Sequence, residues 1–198
     1  MQMAMREAGL PVREDGAIRN IIGLGLPEAF AQLYPGIGLK EMERMRDCYA
    51  EHFIADRVPP SSFFSGVEQT MADLKEMGYT LAVATGKSRR GLNRVFNEIS
   101  WRDYFTASRC ADETRSKPHP QMLHELLEET GVAADQALMV GDTEFDMEMA
   151  QRAGIDRVAV SYGVHEAERL IAYEPVLMVD QIVQLADWLQ QQRMVKVN

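Results

Sequence analysis

Beyond residue 58, short apolar segments of the chain alternate with longer amphipathic ones. The apolar runs at 80–84, 137–140, 157–160 and 176–179 have the length and composition of buried strands, and a fifth short strand is predicted at 104–108. Helices are predicted at 67–77, 89–99, 120–130, 145–153 and 182–193. Strands that alternate with helices form a parallel sheet with right-handed crossovers, so we predict an α/β core over residues 59–198.

The segment before residue 58 lacks this alternation. Helices are predicted at 1–8, 17–22, 28–33 and 39–54, and the stiff run Val58-Pro59-Pro60-Ser61-Ser62 is the best boundary candidate. We therefore predict a small all-helical domain over 1–58. The helix at 1–8 ends at a glycine–proline signal, but no capping residue precedes it. This pattern favours a longer core helix whose first residues would precede Met1. The alternative is a frayed first turn at a natural terminus.

Charge and cysteine content exclude several classes of partner. Lys and Arg number 21 against 30 Asp and Glu, and the resulting net charge of −9 argues against nucleic acid or an anionic membrane as the main partner. No apolar run approaches the ~18 residues that span a bilayer, and the first residues do not form a secretory signal. Two cysteines, Cys48 and Cys110, form no disulfide framework, which favours a reducing cytoplasm.

The strand predicted at 80–84 leads into Thr85, Gly86, Lys87 and Ser88. A hydroxyl and a flexible glycine ahead of a helix can hold an anion through backbone N–H groups, and phosphate is the best candidate. The alternative is ordinary turn chemistry, since threonine followed by glycine is also common after strands.

Two carboxylates follow the strand predicted at 137–140. Asp142 comes directly after its glycine, and Asp146 follows four residues later, on the same side of the next helix's first turn. Paired oxygen ligands suit a hard cation such as Mg²⁺. The alternative is that Asp142 caps the helix, which accounts for only one of the two carboxylates. Between the two motifs, prolines fix the loop around Lys117, whose ammonium either steadies a charged oxygen at the sheet edge or is simply exposed.

The combination of these motifs is more specific than its parts. A strand with Thr85-Gly86, then Lys117-Pro118, then a strand with Gly141-Asp142 and Asp146, in this order and spacing, resembles the haloacid dehalogenase-like hydrolase superfamily. Within it, the chain is similar along almost its whole length to the phosphoglycolate phosphatase-like group. The resemblance implies a Rossmann-like parallel sheet under a small helical cap.

The resemblance also implies a chemistry for the named residues. Thr85 and the backbone of Gly86 are expected to bind the transferring phosphoryl group, and Lys117 to neutralise its charge. Asp142 is the expected Mg²⁺ ligand, with Asp146 as a second ligand or an anchor. The implied enzyme is a Mg²⁺-dependent phosphatase of small phosphorylated metabolites, which transfers the phosphoryl group to an aspartate and then hydrolyses the aspartyl-phosphate.

One part of the family pattern is missing. Members open with a strand that ends in Asp-x-Asp-Gly-Thr, whose first aspartate attacks; Asp15-Gly16 is the only Asp-Gly pair here and follows no apolar strand. We expect that Met1 is an internal methionine of a longer reading frame, or that the chain was cut. The absent strand is expected mid-sheet, between the strands that end at Thr85 and Asp142. Its loss predicts an inactive chain and either self-association, direct pairing of these two strands, or a partly open sheet.

Two other functions compete with this hypothesis. One is a non-catalytic module of the same fold that binds phosphate or a partner protein, and the other is a dehalogenase or phosphomutase. The Thr85 motif and the carboxylate pair favour phosphoryl chemistry over dehalogenation, which needs no metal. The cap loop at 22–27 is predicted to lie over the sheet edge and to select the substrate. Packing or solvated roles are expected for the histidines, which share no metal-ligand spacing: His52, His119, His124 and His165.

Overall fold

The computed structural model describes residues 1–54 and 63–196, so the predicted boundary at 58–62 lies outside the described residues. Within these ranges the chain consists of a helical N-terminal part and a part in which strands alternate with helices. No helix in this part of the chain is long and apolar enough to cross a bilayer.

The N-terminal part is helical throughout its regular structure. Its helices are α1 (Gln2–Glu7), α2 (Asp15–Arg19), α3 (Leu26–Leu33) and α4 (Leu39–Ile54). Their apolar faces share one cluster, in which Ala4, Met5, Phe30 and Met45 are fully buried. The helix α1 packs against α4, and no side chain caps its first turn. The cluster gives this part of the chain a core of its own, separate from the clusters around the strands.

The remaining elements alternate as the apolar runs predict. They are α5 (Val67–Glu76), β1 (Ala82–Thr85), α6 (Arg89–Ile99), β2 (Ala107–Cys110), α7 (Gln121–Thr130), β3 (Leu138–Gly141), α8 (Glu144–Ala153), β4 (Asp156–Val160), α9 (Ala167–Ile171), β5 (Leu177–Val179) and α10 (Val183–Lys196). Every strand pair in the described residues is parallel, which confirms the predicted α/β class.

One strand lies later in the chain than its sequence suggests. β2 begins at Ala107, whereas the strand was predicted at 104–108, because Arg102–Tyr104 forms a turn of 3-10 helix. In this turn Tyr104 N donates to Trp101 O at 3.0 Å. The tight turn occupies residues whose aromatic character favours a strand.

The strands form two sheets. β1 pairs with β2, and β3, β4 and β5 form the second sheet in that order. Within the described residues β1 and β3 do not pair with each other, so direct pairing of these two strands is not the outcome found. Thr85 ends β1 and Asp142 follows β3, and both residues line one cavity. The central strand expected between them stays a prediction.

Candidate active site

A cavity of about 570 Å³ lies where the loops after β1 and β3 meet the helical part. Its lining includes all five residues that the sequence predicts for the site: Thr85, Gly86, Lys117, Asp142 and Asp146. They come from three separate segments of the chain: the end of β1 with its loop, the loop before α7, and the end of β3 with the start of α8. The structure therefore brings them together in one cavity, near the carboxyl ends of β1 and β3, although these two strands belong to separate sheets.

The loop after β1 is held by its own hydroxyl groups. Thr85 Oγ1 accepts a hydrogen bond from Lys87 N at 3.2 Å, and Ser88 caps α6 by accepting from Gly91 N at 3.2 Å. Desolvation at the cavity wall lowers the pKa of Lys87. The loop thus places a hydroxyl, backbone N–H groups and a cationic side chain along one wall, which suits an anion.

Gly86 lies directly under the cap loop. A Cβ at this position would be 2.6 Å from both Gly23 O and Leu24 O, closer than any side chain permits. The cap loop also contacts the core at Ser116, whose Oγ accepts a buried hydrogen bond from Gly25 N at 2.7 Å. The predicted position of the cap loop over the sheet edge thus agrees with these close contacts.

Lys117 and Asp146 form a buried ion pair. Lys117 Nζ is 2.6 Å from Asp146 Oδ1, and the two side chains are 7% and 5% exposed. The pair joins the loop before α7 to the first turn of α8. The interpretation of Lys117 as an exposed side chain is therefore wrong.

The second carboxylate oxygen of Asp146 is also engaged. Oδ2 accepts hydrogen bonds from Thr143 Oγ1 at 2.7 Å and Thr143 N at 3.2 Å. In return, Thr143 Oγ1 accepts from Asp146 N, which completes a capping box at the start of α8. The helix cap is therefore Thr143 and not Asp142. With both oxygens bonded inside the protein, Asp146 has the contacts of an anchor.

Asp142 is held differently. Its Oδ2 accepts a hydrogen bond from Val164 N at 3.0 Å, and its carboxylate lies so close to Gly163 that a Cβ there would be 2.1 Å from Asp142 Cβ. Within the described residues Asp142 Oδ1 has no hydrogen-bond partner, although Asp142 lines the cavity. This oxygen is the one carboxylate atom at the site that the described contacts leave available to a ligand.

The donor set fits a cation that keeps most of its water. Among residues 1–54 and 63–196, no three or more Asp, Glu, His or Cys side chains gather closely enough to hold a metal ion. Mg²⁺ is bound in many sites by one or two carboxylates, with water and substrate oxygens completing the shell. Asp142 has one carboxylate oxygen available for such an ion, whereas the oxygens of Asp146 are bonded to Lys117 and Thr143.

The sequence predicts a packing or solvated role for His165, and the structure shows buried contacts that were not predicted. This residue is buried, its Nδ1 accepts from Glu144 N at 3.1 Å, and its own N donates to Asp142 O at 3.1 Å. Burial lowers the pKa of His165, and the positive charge of Arg169 adds to this effect. His165 thus binds the start of α8 to the strand end that carries Asp142. No local sequence signal marks this contact, because 21 residues separate His165 from Glu144.

Two further sets of residues on the cavity wall were not predicted. Arg90 and Arg94 line it from α6, and Arg94 is paired with Glu98 at 2.7 Å. Arginines at this spacing on the helix that follows a Thr-Gly loop were a usable signal, because they share one helix face. Apolar residues of the helical part complete the lining: Ile22, Leu24 and Leu26 lie in the predicted cap loop, whereas Ile18, Ile21 and Tyr49 were not predicted.

The chain is similar to known hydrolases and phosphatases, both in sequence and in fold. The family model of haloacid dehalogenase-like hydrolases matches residues 1–160. "Probable phosphatase IndB" of Dickeya dadantii is 35% identical over 184 residues, a match that covers 89% of this chain and 79% of that protein. A phosphoglycolate phosphatase of Vibrio vulnificus is 27% identical over 192 residues, covering 93% and 84%. A crystal structure of a predicted phosphatase from Clostridium acetobutylicum has the same fold, with a TM-score of 0.84, 21% identity, and coverage of 96% and 88%.

Proposed function

The chain belongs to the haloacid dehalogenase-like hydrolase family, and from this premise we propose that its site is that of a Mg²⁺-dependent phosphatase of small phosphorylated metabolites. The observation that carries the proposal is the meeting of Thr85, Lys117 and Asp142 in one cavity. The names of the phosphatase relatives support it.

The residues suit a phosphate dianion. The Thr85 hydroxyl and the backbone N–H of Gly86 donate hydrogen bonds to phosphoryl oxygens, and the Lys117 ammonium offsets their charge. Asp142 would hold Mg²⁺, which when bound would supply further positive charge beside the phosphoryl group. In phosphoryl transfer such positioning and charge stabilisation account for most of the catalysis, because the transition state spreads negative charge over the transferring group.

Asp146 acts through Lys117. Its carboxylate is 2.6 Å from Nζ, and its other oxygen is held by the capping box of α8. A flexible lysine side chain carries about 2 kcal/mol of rotamer entropy, so holding its ammonium in place beforehand reduces the cost of binding an anion. Asp146 is therefore proposed as a positioning residue and not as a direct metal ligand.

The attacking carboxylate is the part we do not find. Among the described residues that line the cavity, only Asp142 and Asp146 are carboxylates, and both already have roles. Asp15 begins α2 and accepts a hydrogen bond from Gln2 Nε2 at 3.0 Å, and it does not line the cavity. We therefore expect this chain to hold phosphate and Mg²⁺ without forming an aspartyl-phosphate.

The substrate is proposed only as a class. The phosphoglycolate phosphatase relatives favour a small phosphorylated acid or alcohol, and the cap loop at 22–27 is the proposed selector because Gly23 and Leu24 lie against Gly86. A cytoplasmic location is proposed on the two free thiols, Cys48 and Cys110.

A second candidate function is a phosphate-binding module without catalysis. The lack of a third carboxylate among the described lining residues favours it. It differs from the phosphatase hypothesis in needing no attacking group and no turnover.

Hydrolysis of p-nitrophenyl phosphate with MgCl₂ tests the expectation that this chain lacks an attacking carboxylate. We expect no turnover above that of the Asp142→Asn variant, because both lack the attacking carboxylate. Asp156→Asn, an exposed change at the start of β4, is the matched control. Turnover that disappears in Asp142→Asn but persists in Asp156→Asn would show that this chain supplies its own nucleophile.

A further inference from the structure

One wall of the active-site cavity, formed by α6 and the loop before it, is rich in cationic side chains. Lys87 lies in the loop, and Arg90 and Arg94 follow on the helix. Because these two arginines are four residues apart, they share one helix face. In the described part of the chain, the lining carboxylates are Asp142 and Asp146, which come from the end of β3 and the start of α8. The α6 wall therefore carries excess positive charge in a protein whose net charge is −9.

The arginines of α6 differ in their partners. Arg89 Nε is 2.7 Å from Glu113 Oε1, and Arg94 Nε is 2.7 Å from Glu98 Oε1. Arg90 lines the cavity and is exposed, and it forms no hydrogen bond, ion pair or ring contact with any residue that the structure describes. A guanidinium keeps its proton at all ordinary pH values and presents five donors. Arg90 is therefore available to an anion that enters the cavity.

The phosphoryl group of a substrate does not require Arg90. In the proposed site this group is bound by Thr85, the backbone of Gly86 and Lys117. Asp142 would hold Mg²⁺ beside it. A phosphate ester with an uncharged organic part would leave the Arg90 guanidinium without a partner, whereas a second negative group on that part would pair with it.

A glycine beside Arg90 keeps this wall of the cavity open. Gly91 lines the cavity within α6, where glycine destabilises a helix relative to alanine. A Cβ at this position would meet Ser88 Oγ at 3.4 Å and Lys87 Cβ at 3.6 Å, which are ordinary contacts. Packing within the protein therefore does not demand glycine here. The missing side chain leaves space for a ligand next to the guanidinium.

We propose that Arg90 selects substrates that carry a second negative group, a carboxylate or a second phosphoryl group, on the organic part of the phosphate ester. The planar guanidinium donates two parallel hydrogen bonds to the oxygens of that group. This inference rests on the proposed function, because it takes the first phosphoryl group to lie beside Thr85 and Lys117. It assigns part of substrate selection to α6, in addition to the cap loop at 22–27.

Binding of three phosphonates, measured by isothermal titration calorimetry on the full chain with excess MgCl₂, tests the proposal. Phosphonoacetate carries a carboxylate, methylenediphosphonate carries a second phosphonate, and ethylphosphonate carries neither. We expect the native protein to bind at least one of the first two about ten-fold more tightly than ethylphosphonate, a difference of about 1.4 kcal/mol. The tighter of the two identifies the second group. Both also bind Mg²⁺ in solution, so the ratios are compared between protein variants in the same buffer.

Two arginine variants locate the preference. Arg90→Gln removes the charge and keeps a long polar side chain. We expect the ratio of the dissociation constants for ethylphosphonate and the preferred compound to fall below about two-fold in this variant. Arg6→Gln, an exposed change on α1 outside the cavity lining, is the matched control and should keep the ratio of the native protein.

The outcomes separate this inference from the proposed function. A preference that persists in Arg90→Gln, or that disappears equally in Arg6→Gln, overturns the assignment of Arg90. Equal binding of all three phosphonates by the native protein also overturns it, but leaves the proposed phosphate site standing because ethylphosphonate still binds. If the native protein binds none of the phosphonates, the proposed function and this inference are both wrong.

Discussion

Lys117 Nζ lies 2.6 Å from Asp146 Oδ1, in a pair that the surrounding protein almost completely buries. The two residues are 29 positions apart in the chain, yet this contact joins the loop before α7 to the capping box of α8. Both residues line the cavity of about 570 Å³. The position of the ammonium in the site therefore depends on the local structure of a helix start.

Loss of Asp146 should destabilise the protein. Asp146→Asn removes the charge partner of a buried ammonium, and breaking such a pair costs about 3–5 kcal/mol. We expect the free energy of unfolding in urea to fall by about 3 kcal/mol. Asp156→Asn is exposed and should change it by less than about 0.5 kcal/mol. Equal stability of the two variants would contradict the buried-pair account.

Removal of Asp142 should abolish binding of Mg²⁺. A ligand that binds only the folded state raises its stability, by about 2.7 kcal/mol at a hundred times the dissociation constant. Millimolar MgCl₂ should therefore raise the melting temperature of the native protein but not that of Asp142→Asn. Asp146→Asn should start from a lower melting temperature and still respond to MgCl₂. If the response to MgCl₂ persisted in Asp142→Asn and disappeared in Asp146→Asn, the metal ligand would be Asp146 and not Asp142.

The Ser116 hydroxyl should stabilise the contact between the cap loop and the core. Ser116→Ala leaves the buried Gly25 N–H without its acceptor, which costs about 1–3 kcal/mol. We expect a loss of about 1–2 kcal/mol in urea unfolding, together with faster proteolysis in the cap loop. The exposed Ser65→Ala serves as the control and should leave both readouts unchanged. Unchanged proteolysis in Ser116→Ala would indicate that this bond does not hold the loop.

Cys110 should make stability fall at alkaline pH. Burial raises the pKa of this thiol from 9.0 to about 11, and the nearby Arg89 only partly opposes the shift. Above pH 9 the unfolded thiol ionises while the folded one keeps its proton, so the folded state binds more protons and stability decreases as pH rises toward about 11. The total loss is on the order of 2 kcal/mol.

Urea unfolding of the native protein and of Cys110→Ala across this pH range measures the effect. Buried tyrosines also titrate at high pH, so the comparison is between the two slopes. We expect the shallower slope in Cys110→Ala. Identical slopes would mean that the Cys110 thiol ionises in the folded protein as readily as in the unfolded one.

The positions of the site residues could be predicted because they follow strand ends. An apolar run followed by Thr85 or by Gly141 and Asp142 marks where a strand stops, and parallel strands place these stops at one edge. Local composition carries that information. The same reasoning predicted the helical segments of the N-terminal part, whose apolar spacing matches the cluster around Phe30 and Met45.

The contacts that orient the site could not be predicted in the same way. The bond from Lys117 to Asp146, and that from Glu144 N to His165, join residues 29 and 21 positions apart. Each of these two contacts depends on how the loops pack. The residue types alone do not determine which side chain meets which partner. The choice of Thr143 as the helix cap was also missed, because Asp142 beside it is an equally good capping residue by propensity.

Binding of inorganic phosphate, measured by isothermal titration calorimetry with MgCl₂ present, tests the central claim most directly. We predict one site per chain, with binding at least about ten-fold weaker in both Thr85→Val and Asp142→Asn, and unchanged binding in the exposed control Asp156→Asn. Phosphate binding of equal strength in all four proteins would contradict the claim that these loops form one phosphate and Mg²⁺ site.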